Sequence, residues 1–197
     1  DSVFYVEGLL AGNKTVTATY AGDKWYVFNS TTAQFAVSKV ATTVNITVTD
    51  HYVDEAFEIA IENETAVVVT INGKNYTVSG GKVSIAADEL AAGNYTVTAT
   101  VVENDKYIVS STTKQFSILK RSSTVNVTGD SINVGDVATI TITVPGDRDA
   151  TVKVDVNGTV YSVDIVGGTG SLELKDLKAG TYDINVTYLE NNWYFSS

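Results

Sequence analysis

The chain of 197 residues has no cysteine, no methionine, one proline and one histidine, and its 13 Lys and Arg are outnumbered by 23 Asp and Glu. Without cysteine there is no disulfide framework, no thiolate nucleophile and no thiolate metal site. The formal net charge of -10 argues against nucleic acid or an anionic membrane as partner, because both require clustered Lys and Arg. Apolar runs such as Ala66 to Ile71 are far shorter than the roughly 20 residues that cross a bilayer. The sole imidazole, His51, lies in a loop with no recognisable nucleophile elbow, and no glycine-rich phosphate loop leads from a strand into a helix. The reading is therefore non-enzymatic, with no catalytic residue assigned. The first residue is Asp and nothing at the amino end resembles a cleaved leader, so a piece of a longer chain is expected.

What the chain does contain is self-similarity. Gly12, Asn13, Tyr26, "STT" at Ser30 and "QF" at Gln34 recur as Gly93, Asn94, Tyr107, "STT" at Ser111 and "QF" at Gln115, a constant spacing of 81 residues. Gly93 recurs as Gly180, a spacing of 87. Repeats of this length suit small domains in tandem rather than a helical solenoid. The expected division is 1–40 as the C-terminal half of one repeat, 41–120 as a complete repeat, and 121–197 as a repeat lacking its last strand. Short linkers are expected around Lys39 and Lys120. A window on a longer array explains both incomplete ends. The alternative is a polymerised surface filament in which chains complete one another by strand addition, although the strand count suits that poorly.

Inside the repeat, apolar and polar residues alternate. Val44, Ile46 and Val48 flank Asn45 and Thr47, and Val97, Ala99 and Val101 alternate with Thr96, Thr98 and Thr100, which predicts strands burying one face. "NG" at Asn72 and Asn157 predicts two-residue hairpins, since a type I′ turn needs positive φ at both central residues. "GG" at Gly80 and Gly167 marks a further turn. About seven short strands rich in Val, Thr, Ile and Tyr in about 80 residues read as an antiparallel β-sandwich. In "LAAGNYTV" and "LKAGTYDI", Tyr95 and Tyr182 follow a turn and precede an inward aliphatic by two residues, the placement of a tyrosine corner. Lys14 stands there in the first copy. The fold class is all-β, made of tandem immunoglobulin-like antiparallel β-sandwich repeats.

The pattern V-x-V-N-G-x-x-Y-x-V at Val154, "LKAGTYDINVTY" at Leu177 and "AGDKWYVFNSTTAQFAV" at Ala21 resemble the Ig-like repeats of large adhesin-like surface proteins of methanogenic archaea. The resemblance implies an extracellular, cell-wall-associated, glycosylated and non-catalytic rod, whose partners are neighbouring repeats and, in a fibre, identical chains. It leaves the cell-wall or host-surface ligand open.

Asn13, Asn29, Asn45, Asn63, Asn75, Asn94, Asn126, Asn157 and Asn185 are each followed two residues later by Thr, giving nine N-glycosylation sequons where chance gives roughly three. Alternation alone also produces such triplets, because residues i and i+2 of a strand share a face and Thr favours strands. Trp25 and Trp193 sit in equivalent aromatic clusters, "WYVF" and "WYF", which would either stack on a sugar or a neighbouring domain or close a core. Acidic loops at Asp50, Asp54 and Glu55, at Glu103, Asn104 and Asp105, and at Asp147 and Asp149 offer oxygen ligands to Ca²⁺. None has EF-hand spacing, so solvated turns are the preferred reading and no metal or cofactor is assigned.

Overall fold

The computed structural model describes residues 3–62, 66–144, 146 and 149–197. Among them there is no helix. The strands are β1 (Gly12–Tyr20), β2 (Asn29–Val37), β3 (Asn45–Thr47), β4 (His51–Tyr52), β5 (Phe57–Glu62), β6 (Val67–Ile71), β7 (Lys74–Tyr76) and β8 (Lys82–Ile85), followed by β9 (Gly93–Val101), β10 (Ser110–Leu119), β11 (Asn126–Gly129), β12 (Ala138–Thr143), β13 (Ala150–Val156), β14 (Thr159–Ile165), β15 (Thr169–Leu174) and β16 (Ile184–Tyr188). The sheet orders are β1-β2, β4-β10-β9-β6-β7, β3-β5-β8, β11-β12-β15 and β14-β13-β16.

Alternation explains why these segments are strands. β5 and β12 bury every second residue and leave the ones between exposed or half-buried, because a period of two sends successive side chains to opposite faces. The turns follow the glycine and asparagine signals. Asn72 and Gly73 have φ of 45° and 84°, and Asn157 and Gly158 have 48° and 88°, so both hairpins adopt the left-handed pair that a type I′ turn demands. The β6–β7 and β13–β14 ladders close on these turns, pairing Ile71 with Lys74 and Val156 with Thr159. Each turn asparagine also reaches a neighbouring segment. Asn72 Oδ1 accepts from Thr96 N at 2.9 Å and Asn157 Oδ1 from Asp183 N at 2.8 Å.

The chain divides into two compact units. The first comprises Asp1–Val48, Glu58–Ser84 and Tyr95–Phe116. In it Ile59, Val69, Val83, Val97, Ala99 and Val101 are almost wholly withdrawn from water. The β1–β2 ribbon pairs over nine positions, Gly12 with Val37 through Tyr20 with Asn29, and its residues are exposed or half-buried, Phe35 and Tyr20 included.

The second unit comprises Thr49–Phe57, Ile85–Asn94 and Ser117–Ser197. Its core joins Ile140 and Ile142 of β12, Val152 and Val154 of β13, Ile165 of β14, and Tyr188 and Tyr194. Two three-stranded antiparallel sheets thus enclose one apolar interior, the arrangement of an Ig-like β-sandwich. Tyr182 ties the start of β16 to the preceding turn. Its hydroxyl donates to the Lys178 carbonyl and accepts from the Lys178 amide, both at 3.1 Å. Tyr95 stacks on Phe116 at a centroid distance of 5.7 Å.

Candidate functional site at the repeated Asx loops

Three loops share one construction. Asp23 Oδ1 accepts from the amides of Trp25 and Tyr26 at 2.8 and 2.9 Å, Asn104 Oδ1 from those of Lys106 and Tyr107 at 2.8 and 2.9 Å, and Asn191 Oδ1 from those of Trp193 and Tyr194 at 2.9 Å each. Asp, Asn and Asn stand here because a short side-chain oxygen can satisfy amides two and three residues ahead, an Asx turn. The Asp23 carboxyl is held below the usual carboxylate range, first by the Tyr20 hydroxyl and then by the two amides. The construction was missed in the sequence, although its signal, Asp or Asn before a Trp-Tyr or Lys-Tyr pair, recurs at the repeat spacing.

Two of these loops receive a linker residue. Val40 bridges to Tyr107 in parallel, its amide donating to the Lys106 carbonyl at 2.8 Å while Ile108 N donates to the Val40 carbonyl at 3.1 Å. Arg121 does the same at Tyr194, with Arg121 N to Trp193 O at 2.7 Å and Phe195 N to Arg121 O at 3.0 Å. The preceding lysines repeat the pattern. Lys39 pairs with Glu103 and Lys120 with Glu190, both at 2.6 Å. Ser110 Oγ donates to the Thr42 carbonyl at 2.5 Å, and Ser123 Oγ to the Phe195 carbonyl at 2.6 Å. The segments expected to be short linkers are thus bonded to residues more than sixty positions later in the chain.

The aromatic members of the loops have different surroundings. Trp25 and Tyr26 are 73% and 70% exposed, with the Lys24 ammonium 3.8 Å above the Trp25 ring. The loop residues Ala21 through Phe28 border an open surface hollow of about 490 Å³. Tyr194 is buried, 8% exposed, and meets Tyr188 edge to face at 6.1 Å. Trp193 is half-buried and its indole N–H donates to Asp88 Oδ1 at 2.5 Å. The shared position thus exposes its ring in one loop and engages it in another.

Arg121 of the second unit makes a multiple polar contact. Its Nε reaches both carboxylate oxygens of Asp54 at 2.9 and 2.8 Å, one terminal nitrogen reaches Glu55 Oε1 at 2.8 Å, and the guanidinium lies 4.2 Å from the Tyr52 ring centroid. These hydrogen bonds hold the Arg121 pKa above its ordinary value. Glu55 also accepts from Tyr52 N at 3.2 Å, and its pKa is lowered, first by that backbone bond and then by Arg121. The acidic loop that offered calcium ligands in the sequence is thus occupied by a cation of the chain itself. Asp50 accepts from Ser117 N at 2.7 Å and Asp149 from Gly167 N at 3.3 Å. Among the described residues no group of three or more His, Asp or Glu is arranged to hold a metal ion. His51 stacks on Phe57 at 4.1 Å.

Of the sequon residues, Asn13, Asn29, Asn45, Asn75, Asn94, Asn126, Asn157 and Asn185 are all exposed. Asn63, like Asp147, lies outside the described residues. Asn45 Nδ2 donates to Glu62 at 3.0 Å, so the atom that would carry a sugar there is already engaged. Asn157 sits in the hairpin turn and Asn29 opens β2. A groove of about 670 Å³ runs between residues 127–134 and residues 174–184, lined by Val127, Ile132, Val134, Leu177, Tyr182 and Ile184 among others.

No protein-family model matches the chain, and no curated protein sequence matches it. Among solved structures it is similar to the fibronectin(III)-like modules of Clostridium thermocellum CbhA, at 17% identity and a TM-score of 0.34, over 79% of this chain and 89% of that one. It is also similar to a region of a 1.5-MDa bacterial ice-binding adhesin studied for host cell surface retention, at 18% identity and a TM-score of 0.32, over 94% of this chain and 70% of that one. The assignment to an all-β, Ig-like sandwich class rests on the strands, turns and cores of the chain itself.

Proposed function

We propose that the chain is a segment of a tandem Ig-like array that serves as a structural and adhesive stalk on the outside of a cell, without catalysis. The observation that carries this reading is the twofold recurrence of one junction, in which a lysine, the residue after it and a following Ser or Thr are fastened to an Asx loop later in the chain and to the residues flanking that loop. A lateral stitch of that kind converts a linker into a load-bearing connection. The exposed, Thr-rich and acidic strand faces, with eight described sequons open to solvent, favour an extracellular setting with N-linked glycans. The archaeal resemblance belongs to the same reading. The test is intact-mass measurement and glycopeptide mapping on protein from its native source. Sugars on several sequon asparagines of a surface-exposed chain support the stalk, and a bare intracellular chain overturns it.

Two other readings have an observation each. The exposed Trp25 ring favours a carbohydrate-binding module, since a flat aromatic face stacks on sugar rings; glycan-array binding lost in Trp25→Ala would establish it. The groove beside β16, lined in part by Val127, Ile132, Leu177 and Ile184, favours a filament joined by strand addition. Concentration-dependent polymers in analytical ultracentrifugation would support that reading.

A further inference from the structure

Arg121 and Trp193 form a closed circuit in the second unit. Arg121 is fixed through its backbone to Trp193 and Phe195, and through its guanidinium to Asp54, Glu55 and Tyr52. Trp193 is fixed through its carbonyl to Arg121 and through its indole to Asp88. The rim formed by Tyr52, Asp54, Glu55 and Asp88 thus receives both side chains, and those two side chains are tied to each other. At the preceding junction the backbone stitch is the same, but the two positions hold Val40 and Lys106. Val40 is exposed, and an isopropyl group supplies neither the planar donor fork nor the charge that a carboxylate pair and a tyrosine face select.

We infer that Tyr52, Asp54, Glu55 and Asp88 form a docking surface whose partner is the following repeat of the same type, recognised by an arginine at its linker position and a tryptophan in its Asx loop. This rests on the tandem-array reading and names the contact that array would use. The backbone stitch fastens a linker to the repeat it enters, and the Arg–Trp pair fastens that repeat to the one it leaves. The residues at these two positions therefore decide whether a junction is locked or merely stitched. The third copy confirms that the rim is not generic, because Asn133, Gly135 and Asp136 stand where Tyr52, Asp54 and Glu55 stand in the second. That surface lacks the aromatic face and one of the two carboxylates, so it selects a different neighbour.

The test uses the whole chain with Trp25→Phe, which leaves Trp193 as the only indole. Acrylamide quenching of Trp193 and amide exchange of residues 52–56 and 86–91 are compared in Asp54→Asn, Arg121→Met and the double variant. Each single change is expected to raise quenching and loop exchange about two- to five-fold, the range of an ion pair at a partly exposed site. The double variant is expected to add little to Arg121→Met alone, since Asp54→Asn weakens a contact that the loss of the guanidinium already removes. Exchange of β12 and β13 should stay unchanged, showing that the core is folded. Unaltered Trp193 quenching in both single variants, or effects that simply add, would overturn the docking surface. Because the readout is made on the isolated chain, it is independent of whether glycans or a cell-surface location are found.

Discussion

Asp23, Asn104 and Asn191 each turn the chain with a single side-chain oxygen, so removing that oxygen removes two hydrogen bonds at once. Asn191 carries more than the others, because its Nδ2 also donates to the Tyr188 hydroxyl at 2.7 Å. Asn191→Ala is expected to cost about 1–3 kcal/mol, in line with unpairing part-buried polar groups, measurable by urea denaturation. Tyr182→Phe removes only the hydroxyl that bonds Lys178, and about 1 kcal/mol is expected from the same assay. Glu55 gives a pH prediction. Its folded pKa is lowered below the usual 4.5, so its contribution is fully present above the unfolded value and is lost as pH falls through the folded one. The denaturant midpoint of the native chain should therefore drop on acidification more steeply than that of Glu55→Gln, with the two profiles converging in acid.

At the scale of the element, what matters is which face a strand presents. Ile142 of β12 is fully buried and central to the core of the second unit. Ile142→Ala is expected to destabilise that unit by about 2–5 kcal/mol through lost transfer energy and a residual cavity. Thr141, next in the chain but on the other face, should tolerate the same change far better. Gly168 shows the limit set by a turn. Its φ is +82° and an added Cβ would lie 2.4 Å from the Gly146 carbonyl oxygen. Gly168→Ala should therefore cost at least the roughly 1–2 kcal/mol of a left-handed alanine, as calorimetry would show. Strand existence and turn type were legible in the sequence, because alternation and Asn-Gly pairs are local properties. The Asx loops were not read, since their signal lies in one polar residue among aromatics that suggested a core or a sugar site instead.

At the scale of the whole molecule, the stitched linkers predict resistance where a linker usually invites cleavage. Lys39 and Lys120 are ion-paired, and the residue after each is bridged to a loop. Limited trypsin digestion should therefore cut first after Lys24, in the exposed first Asx loop, and much later after Lys39, Lys120 or Arg121. Early cleavage at Lys120 or Arg121 would show that the junction opens freely.

The sequence by itself determined the all-β class, the repeat spacing, the positions of the turns and the positions of the Asn-x-Thr triplets, because each depends on periodicity, on φ at one or two residues, or on a three-residue pattern. Only the tertiary structure decided what the charged and aromatic side chains do. Arg121 meets Glu55 across 66 residues of chain and Trp193 meets Asp88 across 105, separations over which no local pattern carries information. One aromatic position likewise has two fates. Trp25 lies open to solvent while Trp193 is half-buried against an aspartate, because what surrounds a loop is set by the strands and loops packed beside it and not by its own residues.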